Sequence, residues 1–365
     1  MIDSIYSLYN RATMSIRDQG GLFQEAYFNS PGVKHELTFG YQEKHITGSY
    51  VVAKPQNGTP EAYGGVAGEV NMNLIGDWSF NQPNRQTCYK KRISEIVSFL
   101  AGDYFGQNNL DINDTGNQSV WIQGGQTDAR FIENILLPNA FSQNAKGSPF
   151  YAWVGNDGQF HFRNYQSLFR SVGQTDDDLF YTPQLAQPGK DNTRSTNSFI
   201  DLKVFSKQPK KQSKDVQFYT TPLEDGSVVT TDDSIINHAQ IPSQKRAQVL
   251  STVSRSIPLG FSRKNLLDNF SGQQAYFFRD DLMLDKLFGY LPTSLNLNSG
   301  KKVGVTTNLS VSGNPTTSQR HSGEYIIELA EHLWSAPEKL GYTKLLLSRA
   351  TSKVPSDTTM QGFFS

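Results

Sequence analysis

Between His321 and Arg349 apolar and polar residues alternate with a period of two. Tyr325, Ile327, Leu329 and Leu333 share one face of a first segment, while Leu345, Leu347 and Arg349 alternate with Tyr342, Lys344 and Leu346 in a second. That period predicts two strands joined by a short loop, each with two unlike faces. Shorter segments of the same kind are predicted over 33–39, 48–53, 68–75 and 198–205, and the turn at Gly300 leads into another at Val303. The period changes between 86 and 145. Tyr89, Ile93, Ile96, Val97 and Leu100 recur at helical spacing, predicting an amphipathic helix that stops near Gly102. A strand over 120–123 and a second helix follow. Thr127 or Asp128 caps that helix, and Phe131, Ile132, Ile135 and Leu136 form its buried stripe.

Residues 150–154, the turn Gly155-Asn-Asp-Gly158 and residues 159–163 predict a hairpin, because the turn is made of residues that tolerate positive φ. Its Phe160 and Phe162 are expected in a core. Leu266, Leu267, Phe270, Leu282, Leu284, Leu287 and Phe288 make 263–290 read as a helical insert. The fold class expected is therefore mainly β with α insertions, an α+β chain.

Composition agrees. The 365 residues are 36% hydrophobic and 19% charged, with 23 Phe and 16 Tyr, so aromatics carry much of the apolar area and favour pleated surfaces. Lys+Arg and Asp+Glu both number 34, which gives no basic excess for holding nucleic acid. The near-zero net charge also removes the self-repulsion that keeps monomers apart, as suits a chain living in an assembly. The single cysteine, Cys88, allows no intramolecular disulfide and is expected as a small buried group on the first helix. No basic-then-apolar leader opens the sequence and no apolar run reaches membrane-spanning length, so no membrane partner is expected.

Candidate chemistry is sparse. The histidines at 35, 45, 161, 238, 321 and 332 contain no i, i+4 pair of a zinc site. Tyr63 to Gly68 is glycine-rich but fits neither a dinucleotide nor a phosphate loop; Asp176 to Asp178 and Lys207 to Lys214 read as solvated loops. No G-x-S-x-G elbow occurs. No catalytic, cofactor-binding or metal-binding residue is expected.

Three segments carry a resemblance. Gln118-Ser-Val-Trp-Ile-Gln-Gly-Gly-Gln-Thr-Asp-Ala-Arg-Phe-Ile-Glu-Asn-Ile-Leu136 runs from a strand through a polar cap into a helix opening Asp-x-x-Phe131-Ile132. The second is the hairpin with Phe160 and Phe162. The third is Ser322-Gly323-Glu-Tyr325-Ile-Ile327 with His332, followed by Gly341-Tyr342-Thr up to Arg349. In this order they resemble the baseplate hub family of contractile phage tails, which includes late control protein D and the hub half of VgrG spikes.

The resemblance implies two related β-barrel tube domains, a mixed linking region, a small helical insert and a homotrimeric ring. The first tube domain would occupy 1–87, completed by parts of 150–200. A mixed α/β domain would take 88–165. The second tube domain would begin over 166–262, be interrupted by the helical insert at 263–294, and end over 295–353, before a tail at 354–365. Three chains with two similar barrels each would match a sixfold tail tube to a threefold central spike around a central channel. The implied partners are the tail tube protein, the spike protein, and baseplate wedge or tape-measure proteins, with DNA only as passing cargo. The implied location is the virion tail, assembled in the host bacterial cytoplasm. A tail-associated cell-wall hydrolase and a receptor- or glycan-binding tail protein are the alternatives. Placing Tyr325 in the core gives a direct test: Tyr325→Asp is expected to cost several kcal/mol, because it buries a charge without a partner. A variant that unfolds at the wild-type denaturant midpoint would refute that placement.

Overall fold

The computed structural model describes residues 1–17, 34–41, 44–53, 69–79, 82–116, 118–144, 148–170, 178–181, 197–206, 218–220, 229–230, 253–254, 272, 275–276, 279, 283, 285–311, 314–317, 321–335 and 340–349. These residues are mostly strand with a few helices. The predicted loops at 63–68, 175–177 and 207–214 and the tail at 354–365 lie outside them.

Strands β1 (Ile2–Ser4), β2 (Arg11–Arg17), β3 (Lys34–Tyr41), β4 (Lys44–Val52) and β5 (Glu69–Gly76) come first. Then β6 (Arg85–Lys91), α1 (Ile93–Phe105), β7 (Leu110–Ile112), β8 (Ser119–Gln126) and α2 (Asp128–Phe131) follow. The helix continues past α2 through a π turn (Ile132–Leu136) and a last turn (Leu137–Asn139). The hairpin β9 (Phe150–Val154) and β10 (Phe160–Asn164) leads to α3 (Tyr165–Arg170), β11 (Leu179–Tyr181) and β12 (Asp201–Ser206). Short β13 (Phe218–Thr220), β14 (Val229–Thr230) and β15 (Val253–Ser254) make a small sheet of their own. The last strands are β16 (Asp285–Pro292), β17 (Lys302–Val311), β18 (Asn314–Thr317), β19 (Gly323–Ser335) and β20 (Leu340–Arg349).

The first and last β stretches lie in one sheet, in the order β12-β16-β20-β19-β1-β2-β5-β4-β3, with β11, β17 and β18 joined to it through β17. The link is β19. One of its edges pairs with β20 from Ile326 to Ser335. The other is divided: β17 takes Gly323–Ile326, and β1 takes Leu329 to Glu331. A bulge between Ile327 and Leu329 marks the changeover, and there Gly300 N donates to Ile327 O (2.7 Å) while Ile5 N donates to Glu328 O (3.1 Å).

Three cores result. Leu287, Leu291, Val303, Tyr325, Ile327, Ala330, Leu345 and Leu347 make one, against the last strands. Ala12, Ile46, Tyr50, Met72 and Leu74 make another, on one face of β2, β4 and β5, whose intervening residues His45, Thr47 and Asn73 are exposed. One wet and one dry face is what antiparallel alternation permits. The largest core joins α1, the 128–139 helix, β8, β9, β10 and α3 to Ile5, Leu8 and Ile326. Every residue of β9 is buried, so this strand is covered on both faces.

Several sequence expectations need correction. Tyr89 lies on β6, not on the helix, which starts at Ile93 because Glu95 reaches back to accept from Arg92 N (3.0 Å) and Thr115 Oγ1 accepts from Ser94 N (2.9 Å). The helix passes Gly102 and stops at Gly106, whose φ of 75° ends it. Cys88 is exposed on β6, opposite Ile122, rather than buried on a helix. The helical insert expected over 263–294 fails in its last part. Asp285–Pro292 is a strand paired on both sides, and Leu287, Gly289 and Leu291 alternate on its covered face. Leu329 and Leu333 do not share the Tyr325 face, because the bulge at Glu328 inserts one residue and hands that face to Ala330 and His332.

Gly300 stands at the changeover with φ 81°, and a Cβ there would lie 2.2 Å from Trp153 Cζ2. Gly106 has nearly the same φ, 75°, and open space around it. Backbone strain alone costs about 1 kcal/mol, and overpacking adds about 1–3 kcal/mol. Gly300→Ala is therefore expected to lower stability by about 2–4 kcal/mol and Gly106→Ala by about 1 kcal/mol. Equal shifts of the two urea midpoints would show that Trp153 moves aside freely.

Candidate functional site

The residues singled out by sequence fall in three places. Phe131, Ile132, Phe160 and Phe162 are fully buried in the largest core, where Phe150 and Phe162 pack at 4.9 Å and Tyr89 stacks on Phe131 at 5.9 Å. Ser322, Gly323, Tyr325, Ile327 and Arg349 come together where β19 begins and β20 ends. Tyr342 lies at the far tip of the same hairpin and is 37% exposed. These are framework positions rather than one chemical centre.

At the near end of the hairpin Arg349 is buried, directly opposite Asp285 in the β16–β20 ladder, with Nε 3.7 Å from Asp285 Oδ2. Its Nη1 donates to Ser322 O (3.2 Å), and its guanidinium lies 5.2 Å from the centre of the Tyr325 ring. Tyr325 in turn donates to His321 O (2.9 Å), and burial pushes its hydroxyl pKa up to about 12. The Ser-Gly-x-Tyr and Arg elements thus hold each other. On the reverse face, Lys286 Nζ and Ser348 Oγ both donate to Glu328 Oε2, and all three residues are buried. The bulge residue is therefore also a buried carboxylate, paired across three strands.

In the middle unit Thr127 caps the helix by accepting from Arg130 N (3.4 Å). Asp128 beside it is wholly buried. It accepts from Gln123 Nε2 (2.8 Å) and Tyr104 Oη (3.3 Å), and Arg85 Nε lies 3.0 Å away. Arg85 also reaches Asp103 (3.1 Å). This network ties β6, α1, β8 and the helix start together. Gln82 adds to it by accepting from Ala129 N (2.7 Å).

A third cluster lies where β1 meets the middle unit. Trp153, His161 and Asp111 sit opposite one another across β9, β10 and β7. Trp153 stacks on the imidazole at 4.5 Å, Nδ1 is 3.0 Å from Asp111 Oδ2, and Nε2 is 3.7 Å from Asp157 Oδ1. Burial alone would lower the His161 pKa, but the bonds to Asp111 and Asp157 outweigh it and hold the imidazole above its ordinary value. His332, by contrast, is pushed down to about 4 by burial and by the chain's amino group. It accepts from Met1 N through its carbonyl (2.9 Å), and its own N–H donates to Met1 O (2.8 Å). His321 is in a turn, half-buried.

Among the described residues no group of three or more His, Cys, Asp or Glu side chains is placed to hold a metal ion. No described helix is long and apolar enough to cross a membrane. The outer tip of the β19–β20 hairpin exposes Leu333, Trp334, Leu340 and Tyr342. Sequence reading missed Asp3, the Arg85–Asp128 network and the Lys286–Glu328 pair. One signal was available: Glu328 interrupts the run Tyr325-Ile-Ile-Glu-Leu-Ala330, and a lone charge in an apolar strand marks either a bulge or a buried pair.

No family model matches the sequence, and no curated protein matches it significantly. Among solved structures, a tail protein from Neisseria meningitidis MC58 is similar at 11% identity, with a TM-score of 0.52, over 95% of this chain and 90% of that one. An Escherichia coli protein, described as a component of the type VI secretion system with structural similarity to the T4 tail proteins gp27 and gp5, aligns over 95% of this chain and 72% of that one. Its identity is 11% and its TM-score 0.44. The chain therefore shares its fold with a tail protein.

The buried pair yields a test. Lys286→Met leaves the Glu328 carboxylate buried without its cation and is expected to cost about 3–5 kcal/mol. Adding Glu328→Gln keeps an acceptor for Ser348 and removes the charge, so the double variant is expected to recover most of the loss. Equal destabilisation of single and double variants in urea melts would show that packing, not charge, sets the cost.

Proposed function

We propose that this chain is a structural hub of a phage or phage-like contractile tail, located in the baseplate of the virion. The observation that carries the reading is the fold shared with a tail protein along 95% of the chain. The three motifs found in order in the sequence support the same reading. Fold alone does not confer function, so the argument also draws on what this architecture can do.

A hub has to join rings of different symmetry. Three copies, each contributing its first β stretch (1–87) and its last (166–262 with 295–353) as related units, present six similar surfaces to a sixfold tube and threefold symmetry to a spike. Closed rings need heterologous contacts repeated identically around an axis. The sheet offers two unlike ends for this. β3 and β12 each have one strand neighbour among the described residues, and an open strand edge is a template for pairing with another chain. In this reading the middle unit, centred on 88–165, is a rigid spacer rather than an active site. Its core aromatics and its Asp128 network are spent on packing.

The partners follow from the reading: two further copies, the tube protein on one side, the spike protein on the other, and wedge or tape-measure proteins around them. DNA would pass through the channel as cargo, and the chain itself would catalyse nothing and need no cofactor. Light scattering with negative-stain imaging of the purified chain is expected to give a threefold ring. A compact monomer at micromolar concentration, also unable to trimerise with a tube or spike protein present, would contradict the hub assignment.

A further inference from the structure

β16, β20 and β19 lie side by side, and their covered face carries the core that Leu287, Tyr325 and Leu345 share. The opposite face is apolar as well. Pro292, Tyr342 and Leu333 stand level on it in one cross-strand row, and Phe288, Leu346 and Leu329 in another. The row between them holds an ion pair, Lys344 Nζ to Glu331 Oε2 at 2.6 Å, which neutralises itself. At the near end Ile326 belongs to the largest core, so the middle unit covers the face there. Beyond Glu328 the face opens. Phe288, Leu346 and Leu329 are half-buried, and at the tip Leu333 and Leu340 are 40% and 48% exposed.

A strand face turned to water is ordinarily polar, as on β2, β4 and β5, where His45, Thr47 and Asn73 are exposed. A continuous apolar strip marks a docking surface instead. Its charges cancel within the pair, so it offers a strongly acidic or basic partner nothing. The occupant that fits is an apolar, weakly charged segment. Such a segment follows β20 in the chain: residues 354–365 carry Val354, Met360, Phe363 and Phe364 against a single charged side chain, Asp357. Its reach suffices. From Arg349 back to Leu340 the strand spans about 30 Å, whereas the stretch from Arg349 to Phe364 extends to about 50 Å. A tethered segment within reach acts at an effective concentration of about 1 mM, far above that of a second copy at micromolar levels.

We infer that the segment 354–365 folds back over the outer face of β16, β20 and β19 and covers it, with Phe363 and Phe364 seated at the tip near Leu333, Leu340 and Tyr342. The contact is apolar and needs no salt bridge. It takes out of water a strip that would otherwise associate with other apolar surfaces. The formal net charge of the chain is zero, so self-repulsion does not guard that strip. A cover supplied by the chain itself does.

Hydroxyl-radical footprinting of the intact chain, read by mass spectrometry, tests the cover. In the wild type Leu333, Leu340 and Tyr342 are expected to be protected, while Phe99 and Ile122, exposed on the middle unit, are oxidised and serve as controls. Phe363→Asp with Phe364→Asp puts charge on the segment and is expected to raise oxidation of the three tip residues about threefold, with the controls unchanged. Truncation after Lys353 is expected to give the same rise, and it serves if the charged variant aggregates. The wild-type protection is expected to hold over about a twentyfold range of chain concentration, because the contact lies within one chain. Tip residues as reactive in the wild type as in the variants would overturn the inference. Protection that survives both variants, or that grows with chain concentration, would do the same; the first assigns the face to another part of the chain and the second to another copy.

Discussion

Everything in this molecule depends on one strand edge serving two partners. β19 is 13 residues long, longer than either β17's share of it or β1 requires, and it pairs with β17 first and β1 afterwards. Without that handover the first five strands would have no strand pairing with the last ones among the described residues, and the sheet would end at β19. The geometric cost of the handover falls on Glu328. An extra residue in the ladder rotates the rest of the strand by one face, so Tyr325 and Ile327 before the bulge continue as Ala330 and His332 after it. The side chain of the inserted residue points to the opposite face, where Lys286 and Ser348 compensate it. The bulge therefore aligns two β stretches and supplies a polar bolt through the sheet.

The same solution recurs at other junctions between elements. Asp128, Glu328, Asp3 and the Arg349–Asp285 pair are buried polar groups that each bond to more than one element. Apolar packing is tolerant: a core of similar volume accepts many arrangements. A buried carboxylate is intolerant, because a misplaced partner leaves a desolvated charge. In a chain whose largest core must accept Ile5 and Leu8 from one end of the sequence and Ile326 from the other, such groups fix which arrangement is adopted.

What the sequence made legible follows from range. The alternation in β20, the hairpin β9–β10 and the cap at Thr127 are local patterns, set by residues within a turn or two of one another, and each is where the pattern put it. In sequence the strand Asp285–Pro292 reads as helix because Leu287 and Phe288 are apolar neighbours of earlier leucines, and apolar spacing alone does not separate a covered strand from a helix segment. Cys88 falls on a strand rather than a helix because the helical spacing that reaches back to Tyr89 in sequence is overridden by the pairing of Arg85–Lys91 with β8. The polar junctions were illegible for a different reason. Asp3 is 153 residues from Asn156 and 296 from Ser299, and no local period records a contact of that range.

The two titrating groups along β1 show why bulk stability would conceal this design. His332 faces one end of the strand, and its folded pKa, about 4, is below its unfolded value. The unfolded imidazole then binds a proton first, so the contribution of His332 is full above about pH 6.5 and is lost as pH falls toward 4. Asp3 has the opposite sign, since its folded value is the higher one. Between about pH 4 and about pH 6.5 the two slopes oppose each other, and a global unfolding curve records only their difference. The effects are nevertheless separate in space. His332 acts where the Met1 backbone meets β19, whereas Asp3 acts where the middle unit and β17 meet β1. The two groups therefore respond to pH with opposite sign at different contacts of β1, and only a measurement resolved along the chain separates the two responses.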